Sequence, residues 1–251
     1  MDIILKKKTY KDYLIESMNL LSKDKRTIFL GQSVSFSGNA IYNTLINVPN
    51  NKKIELPVFE ETQMGLSIGL AIEGFIPIST YPRFDFLLLA INQLVNHLDK
   101  IRYMSKGDFK PRVIIRTSIG SKIPLDGGVQ HTQDYSKVFK SILTEINVVE
   151  LNSTKSIFKE FYKAYNRKDG KSSLMLDEAI ELKAWSLIDR AGLRGKQMGK
   201  AMVSKKHPNF LINLGGATSE EMEALGEYVR KSVYEKFKVS LDWEVIRVGR
   251  K

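Results

Sequence analysis

Short apolar runs alternate with helix-patterned segments along most of this chain, and that alternation is the strongest constraint on its fold. Thr27-Ile28-Phe29-Leu30-Gly31, Ile76 to Thr80, Arg112 to Thr117, Val148 to Leu151 and Ser173 to Leu176 read as buried strands. Between them, Tyr10, Leu14, Met18 and Leu21 recur at helical spacing behind a Thr9/Asp12 start box. Further helices are predicted at Gln63 to Ile72, from about Asp85 to Tyr103, near Tyr135 to Leu143 and around Ile157 to Tyr165, with a glycine-rich loop from Ile119 to Gly128. Repeated βα units predict an α/β fold, a mostly parallel sheet with helices on both faces. Ligands of such sheets sit at the carboxyl ends of strands, so the loops after Leu30, Thr80 and Thr117 are the candidate site.

The pattern changes near Glu178. From Lys183 onward come a short helix, a glycine-punctuated stretch and a strand from Asn209 to Asn213. A helix capped by Thr218 and Glu221 follows, lined by Met222, Leu225, Val229, Val233 and Phe237, and then a last strand at Trp243 to Val248. Two domains are expected, 1–180 and a small α+β segment at 181–251.

Cysteine is absent, which removes disulfides and thiolate metal sites and fits a cytoplasmic setting. Met1 to Lys8 lack the apolar core of a signal peptide, and the run Phe86 to Ile91 is too short to span a bilayer, so a soluble protein is expected. The formal charge of +11 raises the question of nucleic acid. Its lysines and arginines are spread over every segment, mostly beside acidic residues, and this argues against such a partner.

The stretch Glu60-Glu61-Thr62-Gln63-Met64-Gly65-Leu66-Ser67-Ile68-Gly69 is, on physical grounds alone, an ordinary helix whose two acidic residues suit its N-terminus. Together with Phe84-Asp85-Phe86, Ala90 to Asn96, Lys100 to Gly107 and Gly127-Gly128-Val129-Gln130-His131-Thr132-Gln133, it resembles a pyrimidine-binding domain. That domain is shared by transketolases, deoxyxylulose-phosphate synthases and the beta subunits of 2-oxo acid dehydrogenases. The similarity runs from about Thr9 to Asp177. It implies thiamine diphosphate as cofactor, with Glu60 (or its neighbour Glu61) hydrogen-bonding a pyrimidine nitrogen so that the cofactor forms its ylid. It also implies that Phe86, with Phe84 as neighbour, packs on the pyrimidine, and that His131 approaches the substrate and moves protons. Gln32 departs from the pattern, standing where those beta subunits usually carry an acid.

The family's Gly-Asp-Gly motif for diphosphate and Mg²⁺ is absent from this sequence. The resemblance therefore implies that a diphosphate-binding, alpha-like partner subunit holds Mg²⁺ and completes the site. The assembly would be a hetero-oligomer or built on a homodimer, and no metal ligand is assigned to this chain.

A second resemblance lies in Ala184 to Gly195, Val203-Ser204-Lys205-Lys206-His207-Pro208-Asn209-Phe210 and Trp243-Glu244-Val245-Ile246-Arg247-Val248-Gly249. These are similar to the C-terminal part of UDP-N-acetylenolpyruvoylglucosamine reductase, a flavoenzyme of peptidoglycan precursor synthesis. The resemblance implies that Ser204 and Glu244 are vestigial reductase-like positions. Met202 stands where a substrate-contacting glutamine is common.

The expected function is the pyrimidine-side subunit of a thiamine-diphosphate-dependent transferase or oxidoreductase acting on a small 2-oxo acid or ketose sugar. The alternatives are a non-catalytic assembly module, or an inactive fusion carrying a cell-wall reductase fragment.

Overall fold

The structure, a computed structural model, describes residues 8–37, 39–120, 128–178, 184–237, 240–241 and 243, without the side chains of Lys155 and Ser186. It divides into two units, Met1–Ile180 and Glu181–Lys251.

Unit 1 is built on a six-stranded sheet with the order β2-β1-β3-β4-β6-β5 and parallel pairing throughout. Its strands are β1 (Thr27–Gly31), β2 (Lys53–Glu55), β3 (Ile76–Tyr81), β4 (Ile114–Ile119), β5 (Asn147–Leu151) and β6 (Ser173–Glu178). Alternate residues of each strand feed two cores. Phe29, Ile78, Ile114 and Met175 face α1 (Tyr10–Ser22) and α7 (Thr154–Tyr165), where they meet Met18, Leu21 and Phe161. Tyr81, Ile115 and Leu176 face the opposite way, among Met64, Phe84, Leu94 and Phe139 of α3 (Glu60–Ile72), α4 (Phe84–Leu87), the π segment Gln93–Leu98 and α6 (Ser136–Ile142). Each fully buried side chain of this size contributes about 1.5–3 kcal/mol, so two such layers hold the sheet rigid beneath its loops. The Thr9/Asp12 box opens α1 as a reciprocal cap.

The long helix expected from Asp85 to Tyr103 is broken into α4, a 3-10 turn at Leu88–Ala90, the π segment and α5 (Ile101–Met104). Asp99 accounts for part of this. Its backbone N–H reaches back five residues to the Leu94 carbonyl at 3.0 Å. Its buried carboxylate accepts hydrogen bonds from the backbone N–H groups of Thr144 (3.0 Å), Glu145 (2.8 Å) and Ile146 (3.1 Å) and from Lys100 Nζ at 2.6 Å. Burial pushes this carboxyl up, but those donors outweigh burial and hold it below the usual carboxylate range.

Four short elements carried no sequence signal: α2 (Ala40–Thr44), edge strand β2, and the hairpin strands β7 (Gln197–Met198) and β8 (Ala201–Val203). Each is too brief for periodicity to show.

Unit 2 is a three-stranded antiparallel sheet, β7-β8-β9, with β9 at Leu211–Asn213, accompanied by α8 (Ala184–Arg190) and α9 (Ser219–Phe237). Leu187, Ile188, Leu193, Ala201, Val203, Leu225, Val229 and Val233 make its core. The cap of α9 is reciprocal: Glu221 N donates to Thr218 Oγ1 at 3.1 Å, and Thr218 N donates to Glu221 Oε2 at 3.2 Å. The strand expected at Trp243 to Val248 lies outside the described residues beyond Trp243. Among the described residues no helix is long and apolar enough to cross a membrane.

Candidate functional site

In unit 1 the candidate residues gather at the carboxyl edge of the sheet. Gln32 follows β1, Glu60 opens α3, Phe86 follows β3 and His131 follows β4. They form two pairs. The Gln32 amide donates to the buried Glu60 carboxylate, Nε2 to Oε1 at 2.9 Å, while the Tyr81 hydroxyl donates to the Glu60 carbonyl at 3.3 Å. Burial raises the Tyr81 hydroxyl above its usual range, which keeps it protonated as a donor. The Phe86 and His131 rings meet edge to face, with centroids 5.4 Å apart.

Two glycines allow this arrangement. Gly31 has φ +143°, and a Cβ there would lie 2.2 Å from the Thr80 carbonyl oxygen. A Cβ on Gly120 would lie 1.7 Å from the His131 carbonyl oxygen, so only glycine lets the His131 segment lie against the end of β4.

Phe84, expected at the cofactor, is fully buried against Tyr135 and Phe139 at centroid distances of 5.6 and 5.0 Å. The helical turn of α4 separates the two phenylalanines differently from a strand, turning Phe84 into the core and leaving Phe86 half-buried. Glu61 is exposed and accepts from Gln93 Nε2 at 3.3 Å.

Two polar links escaped sequence reasoning. Gln133 Nε2 donates to Asp85 Oδ1 at 3.0 Å, joining residues too far apart in the chain for any local pattern to show. Arg116 Nε donates to Asp177 Oδ2 at 2.6 Å and Arg116 Nη1 to Thr44 Oγ1 at 2.7 Å, tying α2 to the sheet. Burial pushes the Asp177 carboxyl up, against the pull of Arg116. A charge inside each of two apolar runs, Val113-Ile114-Ile115-Arg116 and Leu174-Met175-Leu176-Asp177, is the signal that could have revealed this pair.

In unit 2 the candidate segment is the β8–β9 connection. The Ser204 hydroxyl is buried and accepts from the backbone N–H groups of Lys206 and His207, both at 3.1 Å, so it shapes the turn. Arg194 reinforces the turn by donating to the carbonyls of Lys205 (2.7 Å) and Lys206 (3.0 Å) while paired with Asp189. That pairing holds the Asp189 carboxyl below its usual range. His207 lies between the Trp185 and Phe210 rings, at 6.0 and 5.1 Å. Glu244 lies outside the described residues.

Among the described residues of unit 2, one buried side-chain polar atom, Trp185 Nε1, has no partner. A single orphaned donor beside a filled core does not make a flavin cradle. No cluster of His, Cys, Asp and Glu among the described residues of the chain could hold a metal ion.

Residues 147–248 match the family described as UDP-N-acetylenolpyruvoylglucosamine reductase, C-terminal domain. The first part of that match, 147–180, falls within unit 1. The UDP-N-acetylenolpyruvoylglucosamine reductase of Paracoccus denitrificans is 64% identical over 74 residues, 30% of this chain and 24% of the relative. That of Dinoroseobacter shibae is 57% identical over the same shares of each chain. The chain thus spans about a quarter of the length of the curated relatives it matches.

Among solved structures, a split-gene transketolase described as an inactive beta4 tetramer is similar with a TM-score of 0.46 and 14% identity, covering 67% of this chain and 50% of that one. A putative thiamin diphosphate-dependent enzyme from Mycobacterium smegmatis gives 0.46 and 13%, covering 76% and 38%. Likeness at this level carries no functional argument.

These comparisons overturn the expectation of a thiamine-diphosphate-dependent subunit, and with it the thiamine diphosphate and Mg²⁺ assigned to the site. Close sequence kinship runs to the reductase, while the transketolase likeness is weak and structural. Within unit 1, the Glu60 carboxylate accepts one hydrogen bond from Gln32, and Phe84 lies in the core.

Proposed function

We propose that unit 2 is a C-terminal module of the UDP-N-acetylenolpyruvoylglucosamine reductase type, carried in a cytoplasmic protein as a component that performs no reduction by itself. The observation that carries this reading is the 64% identity over 74 residues to the Paracoccus enzyme. An identity that high over a stretch this short fits a retained fold and a retained binding surface. The compact core of unit 2 and its braced 204–210 turn support the same reading.

The residues in hand bind and shape rather than react. Ser204 fixes the turn, Arg194 braces it, and His207 with Phe210 gives it an aromatic flank. A flavin bound elsewhere would supply hydride chemistry; the described residues of unit 2 offer no place for it. Unit 1, on this reading, is an assembly scaffold.

The test is an exchange, with residues 181–251 replacing the corresponding segment of the Paracoccus denitrificans reductase. A flavin-loaded chimera that turns over UDP-N-acetylenolpyruvoylglucosamine supports the proposal. A soluble, flavin-loaded and inactive chimera refutes it, as would reduction of that substrate by the isolated chain.

A further inference from the structure

The amino edge of the unit 1 sheet, opposite the edge that carries Glu60 and His131, holds a cleft of about 260 Å³, mouth included. The π segment, α5 and the turns that lead into β4, β5 and β6 line it. Leu98 and Ile146, 4% and 5% exposed, give it an apolar floor. Arg102, Lys110 and Lys171 stand around that floor, and Glu145 is the one acid of the lining. Glu145 is committed to Lys171, whose Nζ lies 3.0 Å from its Oε2. Neither Arg102 nor Lys110 forms an ion pair among the described residues. Cations near this edge also serve helix ends, as Arg112 does by donating to the Tyr165 carbonyl that closes α7, at 2.9 Å. Arg102 instead donates through Nη1 to a turn carbonyl, that of Asp169, at 2.7 Å. That contact fixes the planar group and leaves its other N–H donors for a ligand.

The donors at this edge select the kind of anion. Backbone amides that could cradle a phosphate are spent inside the fold. Val113 N donates to Ser172 Oγ at 3.0 Å, Ser173 N to the Val113 carbonyl at 3.0 Å and Asn147 N to the Ser172 carbonyl at 3.1 Å. What remains is a guanidinium and an ammonium beside an apolar floor, and a planar carboxylate on a short apolar body matches that set. The space admits at most roughly nine groups the size of a water molecule, which is the size of benzoate. We propose that this cleft binds a small apolar monocarboxylate, with Arg102 and Lys110 holding the carboxylate and Leu98 and Ile146 receiving the body. The site lies wholly within unit 1 and does not depend on the role proposed for unit 2.

The experiment is titration of the isotopically labelled full chain with benzoate, followed through the backbone amide signals of residues 110, 145, 146 and 170–172. Neutral benzamide and inorganic phosphate are the comparison probes. The expected result is saturable benzoate binding at concentrations on the order of millimolar, with the shifts centred on those amides. Lys110→Gln and Arg102→Gln should each weaken it roughly threefold or more. Lys110 is exposed, so its replacement leaves the fold in place and decides the matter alone if Arg102→Gln does not fold. Unchanged signals away from the cleft check that each variant is folded. No saturable shift at the cleft, or a response that benzamide matches or that either folded variant leaves unchanged, overturns the proposal. Phosphate binding at least as tight as benzoate also overturns it, because the cleft would then be a site for a bare anion.

Discussion

The two units show opposite balances between depth of fold and closeness of kinship. Unit 1 has two full core layers, a buried ion pair and a buried carboxylate gripped by three backbone amides, yet its residues before 147 lie outside the reductase match. Unit 2 has one small core and a three-stranded sheet, yet it lies in the region matching the reductase C-terminal domain. A parallel α/β sheet follows from hydrophobic pattern and chain chirality, and many unrelated sequences satisfy those demands. High identity over a short stretch is not demanded by pattern. It records specific side chains, so it weighs more for function than the likeness of a common fold.

The comparison breaks most sharply at Gly31. Gly31→Ala places a Cβ 2.2 Å from a backbone oxygen at φ +143°, and we predict a loss of roughly 3 kcal/mol or more. Hydrogen exchange should show that loss in unit 1 and leave α9 amides at wild-type protection. Loss of protection in both units would mean that they unfold as one.

Asp99→Ala comes next, at about 3 kcal/mol, because it strips a buried carboxylate from the amides of 144–146. The folded-state pKa of Asp99 lies below its ordinary 3.8, so its stabilisation is fully present above that value and is lost as pH falls through the depressed one. Acid unfolding monitored on unit 1 should therefore be steeper in wild type than in Asp99→Asn; equal slopes would remove Asp99 from the account.

In unit 2, Gly226→Ala drives a methyl to within 1.9 Å of the Trp243 ring. The indole can move, so the expected cost is about 1–2 kcal/mol, with a shift in tryptophan fluorescence. An unchanged spectrum would show that Trp243 does not rest on α9.

Much of this architecture was legible beforehand. The strands at Thr27, Ile76 and Ser173 and the capping boxes at Thr9 and Thr218 were visible because burial and capping leave local signatures. The break in the helix after Phe84 was not, since its pinning contact joins Asp99 to residues more than forty positions away. The pairing of Phe86 with His131 needed the loop after β4 to fold back, which no spacing encodes. The functional reading erred for a related reason. Motif residues along the carboxyl edge fit one family's order, while the close sequence matches lie with the reductase. At Met202 the sequence pointed to the position but could not show that it shares an apolar face with Ile212.

The central claim, that unit 2 is a working reductase-type module, is tested most directly by steady-state kinetics of the exchange chimera with Met202 and with Met202→Gln. The account predicts flavin-dependent turnover in both, with KM for UDP-N-acetylenolpyruvoylglucosamine lowered by roughly three- to tenfold when glutamine restores a hydrogen bond. A folded, flavin-loaded chimera without turnover in either form would contradict it.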